Sequence, residues 1–255
     1  MDLSSLFSLD NKVAIITGAS KGIGFSIAEF FAAAGAKVVI SSRKQEALDE
    51  LADILNKKGY DVTGIACNVG KMSDLDALVN KTIETYGQLD ILVNNAGASP
   101  VYGPVHETSI KAFDKIIDVN LKAPFQLAKL CLPYLRESSS ASIINITSIG
   151  AISPEPGLGI YSVSKSALIS LTKVMAKEWG QQKIRVNAIC PGLIKTKFSE
   201  AIWSNEAVLE PMIKRLAIKR MGESDEIGAL ALFLASPAAS YSTGSVYWAD
   251  GGYNA

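Results

Sequence analysis

In "YSVSK", residues 161 to 165, a tyrosine and a lysine stand four positions apart within a stretch of helical apolar spacing. On a helix that interval stacks the two side chains on one face, about one turn apart. A cation beside a phenol makes it a better acid, as a proton-transfer step needs. Among the eight tyrosines only Tyr161 has lysine at that interval. One such pair also arises by chance, so the rest of the chain must carry the reading.

A second group of residues points to phosphate. "TGASKGIG" follows a short β-branched run and opens the helical pattern "FSIAEFFAAAG". Glycines there let the backbone approach a ligand, and a helix N-terminus offers free N–H groups and a positive dipole. The spacing Gly-x-x-x-Gly-x-Gly differs from the Gly-x-Gly-x-x-Gly of other dinucleotide folds and lacks the Gly-Lys-Ser/Thr of triphosphatase loops. The expected cofactor cradle comprises Gly18, Ser20, Lys21, Gly22, Ile23 and Gly24. Folds that take NAD usually place an acid at the end of the second strand to bind the ribose hydroxyls. Here that strand ends "VVISSRK", with Ser42 and Arg43, and the first acid is Glu46. Arg43 can grip a 2′-phosphate in fork geometry and Lys21 can add charge, so NADP(H) is the expected cofactor.

Composition excludes several other chemistries. Twenty-five basic residues balance 25 acidic ones without long blocks, which argues against a nucleic-acid or anionic-membrane surface. No apolar run reaches the length of a transmembrane helix, and "MDLSSLFSLDNK" has no secretory pattern, so no membrane role is expected. Cys67, Cys131 and Cys190 are scattered and read as small buried hydrophobes. The sole histidine, His106, follows Gly103-Pro104 in a loop-like stretch. It reads as a loop or capping residue, and no metal site is expected.

The elements that must position these residues alternate along the chain. "KVAIIT" (12–17), "AKVVIS" (36–41), "DVTGIAC" (61–67), "DILVN" (90–94), "SIINIT" (142–147), "IRVNAIC" (184–190) and "SVYW" (245–248) read as strands. Several lack polar alternation, as strands buried on both faces of a parallel sheet do. Helices are expected at 22–34, 44–57, 73–86, 110–135, 160–179 and 224–235. In 160–179 the periodic set is Val163, Ala167, Leu168, Leu171, Val174 and Met175. The alternation predicts one α/β domain over 1–255, a doubly wound, Rossmann-type parallel sheet of about seven strands with helices on both faces.

With the glycine loop, "NNAG" at 94–97 and "YSVSK" in this order, the chain resembles the short-chain dehydrogenase/reductase family from Lys12 to about Gly252. Asn120 in "DVNLKAPF", Ser148 in "NITSIGA" and "NAICPGLIKT" at 187–196 extend the match, with Ser148 standing 13 residues before Tyr161. The resemblance implies a catalytic tetrad of Asn120, Ser148, Tyr161 and Lys165. Ketone reduction needs a proton on the emerging alkoxide, and a phenol with its ordinary pKa near 10 is a sluggish donor. Lys165 is expected to lower that pKa and to bond the nicotinamide ribose. Ser148 is expected to donate to the substrate oxygen, and Asn120 to hold a water that feeds Lys165. An asparagine inside a helix is unfavourable and suggests a kink or a polar role. Asn95, Ala96 and Gly97 are expected beside the adenosine half of the cofactor. Pro191, Gly192, Ile194 and Thr196 are expected on its nicotinamide side. Where the family commonly has Asp-Val for the adenine, this chain has Asn68-Val69.

The same resemblance makes 193–221 a substrate lid over a mainly apolar pocket, with Phe198, Ile202, Trp203, Leu209 and Met212 at loosely helical spacing. A helix packed on its own domain is the competing explanation. "ICPGLIKTKFSEAIW" is similar to the NADP-dependent carbonyl reductase branch, and similarity to 3-oxoacyl carrier-protein reductases is almost as good. Lys195, Lys197, Lys214, Lys219 and Arg220 could then face a carrier or CoA, or simply solvent. The expected substrate is a small carbonyl compound or alcohol, the expected assembly a homotetramer through helices 110–135 and 160–179, and the expected compartment the cytoplasm. A non-catalytic NADP-binding sensor is the alternative of a different class.

Overall fold

The computed structural model describes residues 3–99 and 101–255; Met1 and Asp2 of the N-terminal segment, and Pro100, lie outside it. Seven strands form one parallel sheet in the order β3-β2-β1-β4-β5-β6-β7. They are β1 Val13–Thr17, β2 Lys37–Ser42, β3 Asp61–Ala66, β4 Ile91–Asn94, β5 Ala141–Ile146, β6 Ile184–Pro191 and β7 Val246–Ala249. The expected strands all form, with boundaries within a residue or two. Every residue of β1, β4, β5 and β6 is buried. Successive side chains therefore serve opposite cores. Ala14 and Ile16 of β1 join one cluster, and Val13 and Ile15 join the other.

Helices cover both faces. On one side lie α2 (Gly22–Ala33), α3 (Gln45–Asn56) and α10 (Ser224–Ala235), burying Ile27, Phe31, Leu48, Leu55, Ile227 and Leu234. On the other lie α4 (Met72–Tyr86), α6 (Ala123–Glu137) and α7 (Gly159–Trp179), burying Leu75, Leu78, Leu127, Cys131, Leu135 and Met175. Short α1 (Leu3–Phe7), α8 (Glu200–Trp203) and α9 (Glu206–Arg215) were not marked by the periodicity. The first is five residues long, the second four, and α9 carries Pro211 in its interior.

Two expectations are corrected. The single helix at 110–135 is α5 (Ile110–Ile117), a π turn (Asp118–Lys122) and α6. Wide turns of this kind concentrate at functional sites, and this one carries Asn120. In α7 the buried face runs through Leu168, Ile169, Thr172, Met175 and Ala176, whereas Val163 and Val174 are exposed. The apolar stripe is wider than the sheet beneath it can cover.

At the amino edge of the sheet Asp90 is buried and gathers four donors. Its carboxylate accepts from the Val13 N–H (2.9 Å), Gln88 Nε2 (2.8 Å), the Lys12 ammonium (3.2 Å) and the Ser138 hydroxyl (2.5 Å). Burial pushes this carboxyl up, but the donors outweigh it and hold the pKa below the ordinary 3.8. A depressed carboxylate contributes stability above its unfolded pKa, and that stability is lost as pH falls through the folded value. Asp90→Asn is therefore expected to cost roughly 2 kcal/mol at neutral pH. Denaturant titrations should show the gap between variant and wild type closing below about pH 4. A gap that stayed constant into acid would contradict the charge argument.

Candidate active site

The strand order reverses between β1 and β4, and a crevice opens at their carboxyl ends, where such sheets bind ligands. Thr17, the last residue of β1, closes the seam. Its hydroxyl donates to the Val93 carbonyl (3.2 Å) and accepts from the N–H groups of Asn95 and Ala96 (both 3.1 Å). Asn95 returns the contact, its Nδ2 donating to the carbonyls of Thr17 (2.9 Å) and Gly18 (3.1 Å). The glycine loop and the "NNAG" turn are thereby held as one surface.

Small residues are obligatory on that surface. Gly18 has φ +66°, and a Cβ there would lie 2.9 Å from the Ala96 Cα. A Cβ on Gly24 would lie 2.4 Å from Asn95 Nδ2 and 2.6 Å from the Gly18 carbonyl. Gly22, at φ +59°, faces the Thr196 methyl, whose carbon would be 3.2 Å from an added Cβ. Lys21 is the N-cap of α2 in extended conformation, and no side chain caps the helix. The first-turn N–H groups of Gly22, Ile23 and Gly24, next to Ser20, thus lack the side-chain acceptor that the N-cap residue usually supplies. An uncapped, glycine-lined helix start suits a pyrophosphate.

Around this cradle the other expected residues take their places. Ser41 turns inward, its hydroxyl donating to the Ile65 carbonyl (2.8 Å), while Ser42 is half-buried at the strand end. Arg43 and Lys21 are exposed and make no ion pair among the described residues. Past β3, the Asn68 side-chain Oδ1 accepts from the Gly70 N–H (3.2 Å), which folds the turn at Val69. Gly192 follows Pro191 at the end of β6 and packs so close to Asp250 that a Cβ would meet its Cα at 2.6 Å. Ile194 bridges to Gly222, which turns Thr196 towards Gly22.

The tetrad residues converge from β5, the π turn and α7. Asn120 is fully buried, accepting from the Ala98 N–H (2.8 Å) and donating to the Ala98 carbonyl (3.0 Å) and the Ser164 hydroxyl (3.0 Å). Its amide thus satisfies the strand-end backbone just past Gly97, a bonding geometry that accounts for the widened helical turn. A Cβ on Gly97 would lie 3.7 Å from Lys165 Nζ and 3.8 Å from Asn120 Oδ1. The Lys165 ammonium is buried, donates to the Ile146 carbonyl (2.9 Å) and stands 5.8 Å from the centre of the Tyr161 ring.

The electrostatics differ from the sequence expectation. Burial pushes the Tyr161 phenol up, the neighbouring Ser148 hydroxyl pulls it partly back, and the Cys190 thiol adds a further push upward. Burial also brings the Lys165 ammonium down to about 8. Ser148 caps the short turn that follows β5, accepting from the Gly150 N–H (3.1 Å). Ser162, buried beside Gly150, keeps a hydroxyl without a partner among the described residues.

Sequence reasoning did not single out Thr17, Asn145 or Thr172. Asn94 Nδ2 donates to Asn145 Oδ1 (2.9 Å), and Asn145 Nδ2 donates to the Thr172 hydroxyl (2.8 Å). This buried chain sets α7 against β4 and β5. Its signal was a polar residue inside the apolar run "SIINI", since a buried amide needs partners.

Known proteins resemble this chain in sequence and fold. Residues 18–254 match the family model described as enoyl-(acyl carrier protein) reductase. The rabbit (Oryctolagus cuniculus) protein named dehydrogenase/reductase SDR family member 4 is 43% identical over 244 residues, covering 96% of this chain and 94% of its own length. A solved putative short-chain alcohol dehydrogenase of Sinorhizobium meliloti superposes with TM-score 0.93 at 35% identity, covering 98% of each chain. Gluconate 5-dehydrogenase of Burkholderia cenocepacia, solved with NADP and tartrate, superposes with TM-score 0.95 at 30% identity and 99% coverage of both.

The cradle can be tested apart from turnover. Gly24→Ala forces a methyl into Asn95 and the Gly18 carbonyl, an overlap costing about 1–3 kcal/mol. Titration with nicotinamide dinucleotide should show at least a roughly tenfold weaker Kd with the helical circular-dichroism signal retained. Wild-type affinity in this variant would remove the glycine loop from the binding site.

Proposed function

The chain belongs to the short-chain dehydrogenase/reductase family, an oxidoreductase family, and we propose that it is an NADPH-dependent carbonyl reductase acting on small free ketones or aldehydes. The observation that carries this reading is the meeting of Ser148, Tyr161 and Lys165 beside Gly97, at the open end of the glycine cradle. When bound, the reduced nicotinamide supplies a hydride to the carbonyl carbon. The chain's own groups then manage the oxygen. Ser148 donates a hydrogen bond where negative charge builds. Tyr161, protonated at neutral pH because burial raises its pKa, passes its proton to the emerging alkoxide. Lys165, charged below about 8, stabilises the phenolate left behind. Asn120 holds the Ala98 backbone and keeps the wall behind Lys165 in place.

Cofactor choice rests on charge. Arg43, just past β2, and Lys21, at the start of α2, make no ion pair among the described residues, and no carboxylate stands at the position that would select the ribose hydroxyls. The presence of NADP in the Burkholderia relative supports the same choice. For the substrate, Tyr102, Val105 and Phe198 are exposed apolar groups around the start of α7. The Phe198 and Tyr161 ring centres are 6.2 Å apart, and Tyr102 and Val105 pack on Gly157 and Gly159. An apolar entrance beneath a lid at 193–221 is the reading they support. A carrier-linked substrate is less well supported, because the basic residues of that segment are largely neutralised. Lys197 pairs with Glu200, Lys214 with Glu210 (2.8 Å) and Arg220 with Glu226 (2.7 Å), while Lys219 bonds the Lys214 carbonyl (2.7 Å). Exposed Phe113, Phe125, Val163 and Val174 on α5, α6 and α7 support assembly with further copies, as a homotetramer would require.

The test is turnover of a ketone panel followed by nicotinamide absorbance. NADPH is expected to exceed NADH in kcat/KM by about tenfold or more, an advantage of one charge-assisted contact. Tyr161→Phe keeps the ring and removes the proton, and a loss of about a thousandfold is expected with NADPH still bound. Full turnover by this variant would sink the mechanism. The rate of reduction should be level below neutrality and fall as pH rises through about 8, where Lys165 loses its charge. A rate that climbed across that range would exclude the charged lysine.

A further inference from the structure

Between the carbonyl that holds Lys165 and the hydroxyl of Ser148 sits one residue, Thr147. It is buried, and it ties the end of β5 to β6 three times. Its N–H and its hydroxyl both donate to the Ile189 carbonyl, at 2.7 and 2.9 Å. Its oxygen also lies 2.6 Å from Cys190 Sγ. The threonine hydroxyl has a single hydrogen, already given to Ile189, so the thiol is the donor in the second contact. Burial pushes the Cys190 thiol up, while the Thr147 hydroxyl and, more weakly, the Ser148 N–H pull it partly back. The residues following Cys190 are Pro191 and Gly192, where the nicotinamide-side turn begins.

We infer that Thr147 and Cys190 are positioning residues for the proposed reaction, a hydroxyl–thiol clamp that registers Ser148 and the Ile146 carbonyl against the turn after β6. The inference rests on the reductase reading above. The clamp acts through its neighbours: if Thr147 shifts, the Ser148 hydroxyl and the anchor of Lys165 shift with it. Neither clamp residue touches the reacting atoms. Cys190 also packs with Ala151 and Ile169, as any small apolar residue would. Its hydrogen bond is what separates the two roles.

Thr147→Val keeps the shape and deletes the hydroxyl, while Thr147→Ser keeps the hydroxyl. With NADPH and a ketone turned over by wild type, Thr147→Val is expected to lower kcat about tenfold, with the NADPH Kd within about twofold of wild type. Thr147→Ser should restore most of that loss. Cys190→Ala should lower kcat by about threefold, and the double variant should be no worse than Thr147→Val, the signature of one shared interaction. If Thr147→Val does not fold, Cys190→Ala compared with Cys190→Ser, which keeps a donor, decides the question. Wild-type kcat in Thr147→Val, equal loss in valine and serine variants, or an NADPH Kd that rises in step with the fall in kcat would each overturn the clamp. Wild type and Tyr161→Phe are measured alongside. A wild type that reduces nothing overturns the reductase reading and the clamp with it. An active wild type, a dead Tyr161→Phe and a fully active Thr147→Val overturn the clamp alone.

Discussion

The hydroxyl of Thr17 bonds three backbone groups across the seam where the strand order reverses. A parallel sheet that parts at this point leaves N–H and C=O groups without ladder partners, and burying them unpaired is costly. Thr17 and Asn95 satisfy them from side chains. The backbone of the glycine loop and of "NNAG" can therefore face outward without unravelling. The close glycine contacts at Gly18 and Gly24 follow from that arrangement, because Asn95 must reach under the loop to make its bonds.

Burial acts in opposite directions on the two titrating residues of α7. It raises the phenol of Tyr161 and brings the ammonium of Lys165 down, since a low-dielectric surrounding disfavours whichever form carries charge. The Ile146 carbonyl accepts from the buried lysine, and the Ser148 hydroxyl offsets part of the push on the tyrosine. A bare helical pair at the surface would have neither property. The sheet end supplies both.

Much of this is legible in the sequence alone. Continuous apolar runs at regular intervals mark doubly buried strands, and all seven form. The glycine spacing marks a ligand-bearing strand-to-helix turn, and Tyr161 and Lys165 do share a helix face. What periodicity could not resolve was phase and partner. It reads 110–135 as one helix because apolar residues continue across Asn120, and only the bonds to Ala98 account for the widened turn. It marks Val163 and Val174 as core because spacing does not say which side of a helix the sheet covers. It places the lysine beside the tyrosine but does not show that the ammonium also bonds a main-chain carbonyl. Thr147 and Cys190 passed as an ordinary strand end and a small hydrophobe, since a hydroxyl–thiol contact joins residues 43 positions apart.

The widened turn at Asp118–Lys122 also works as a phase shifter. A loop closed by i→i+5 bonding holds one residue more than an α turn, so everything downstream is set back on the helical wheel by about 100°. Asn120 can then face the backbone at Ala98 while Leu127, Cys131 and Leu135 still face the sheet. Shortening this stretch by one residue would give a straighter and intrinsically better helix. It would also rotate the oily side of α6 off the core, so the irregular turn and the regular packing beyond it stand or fall together.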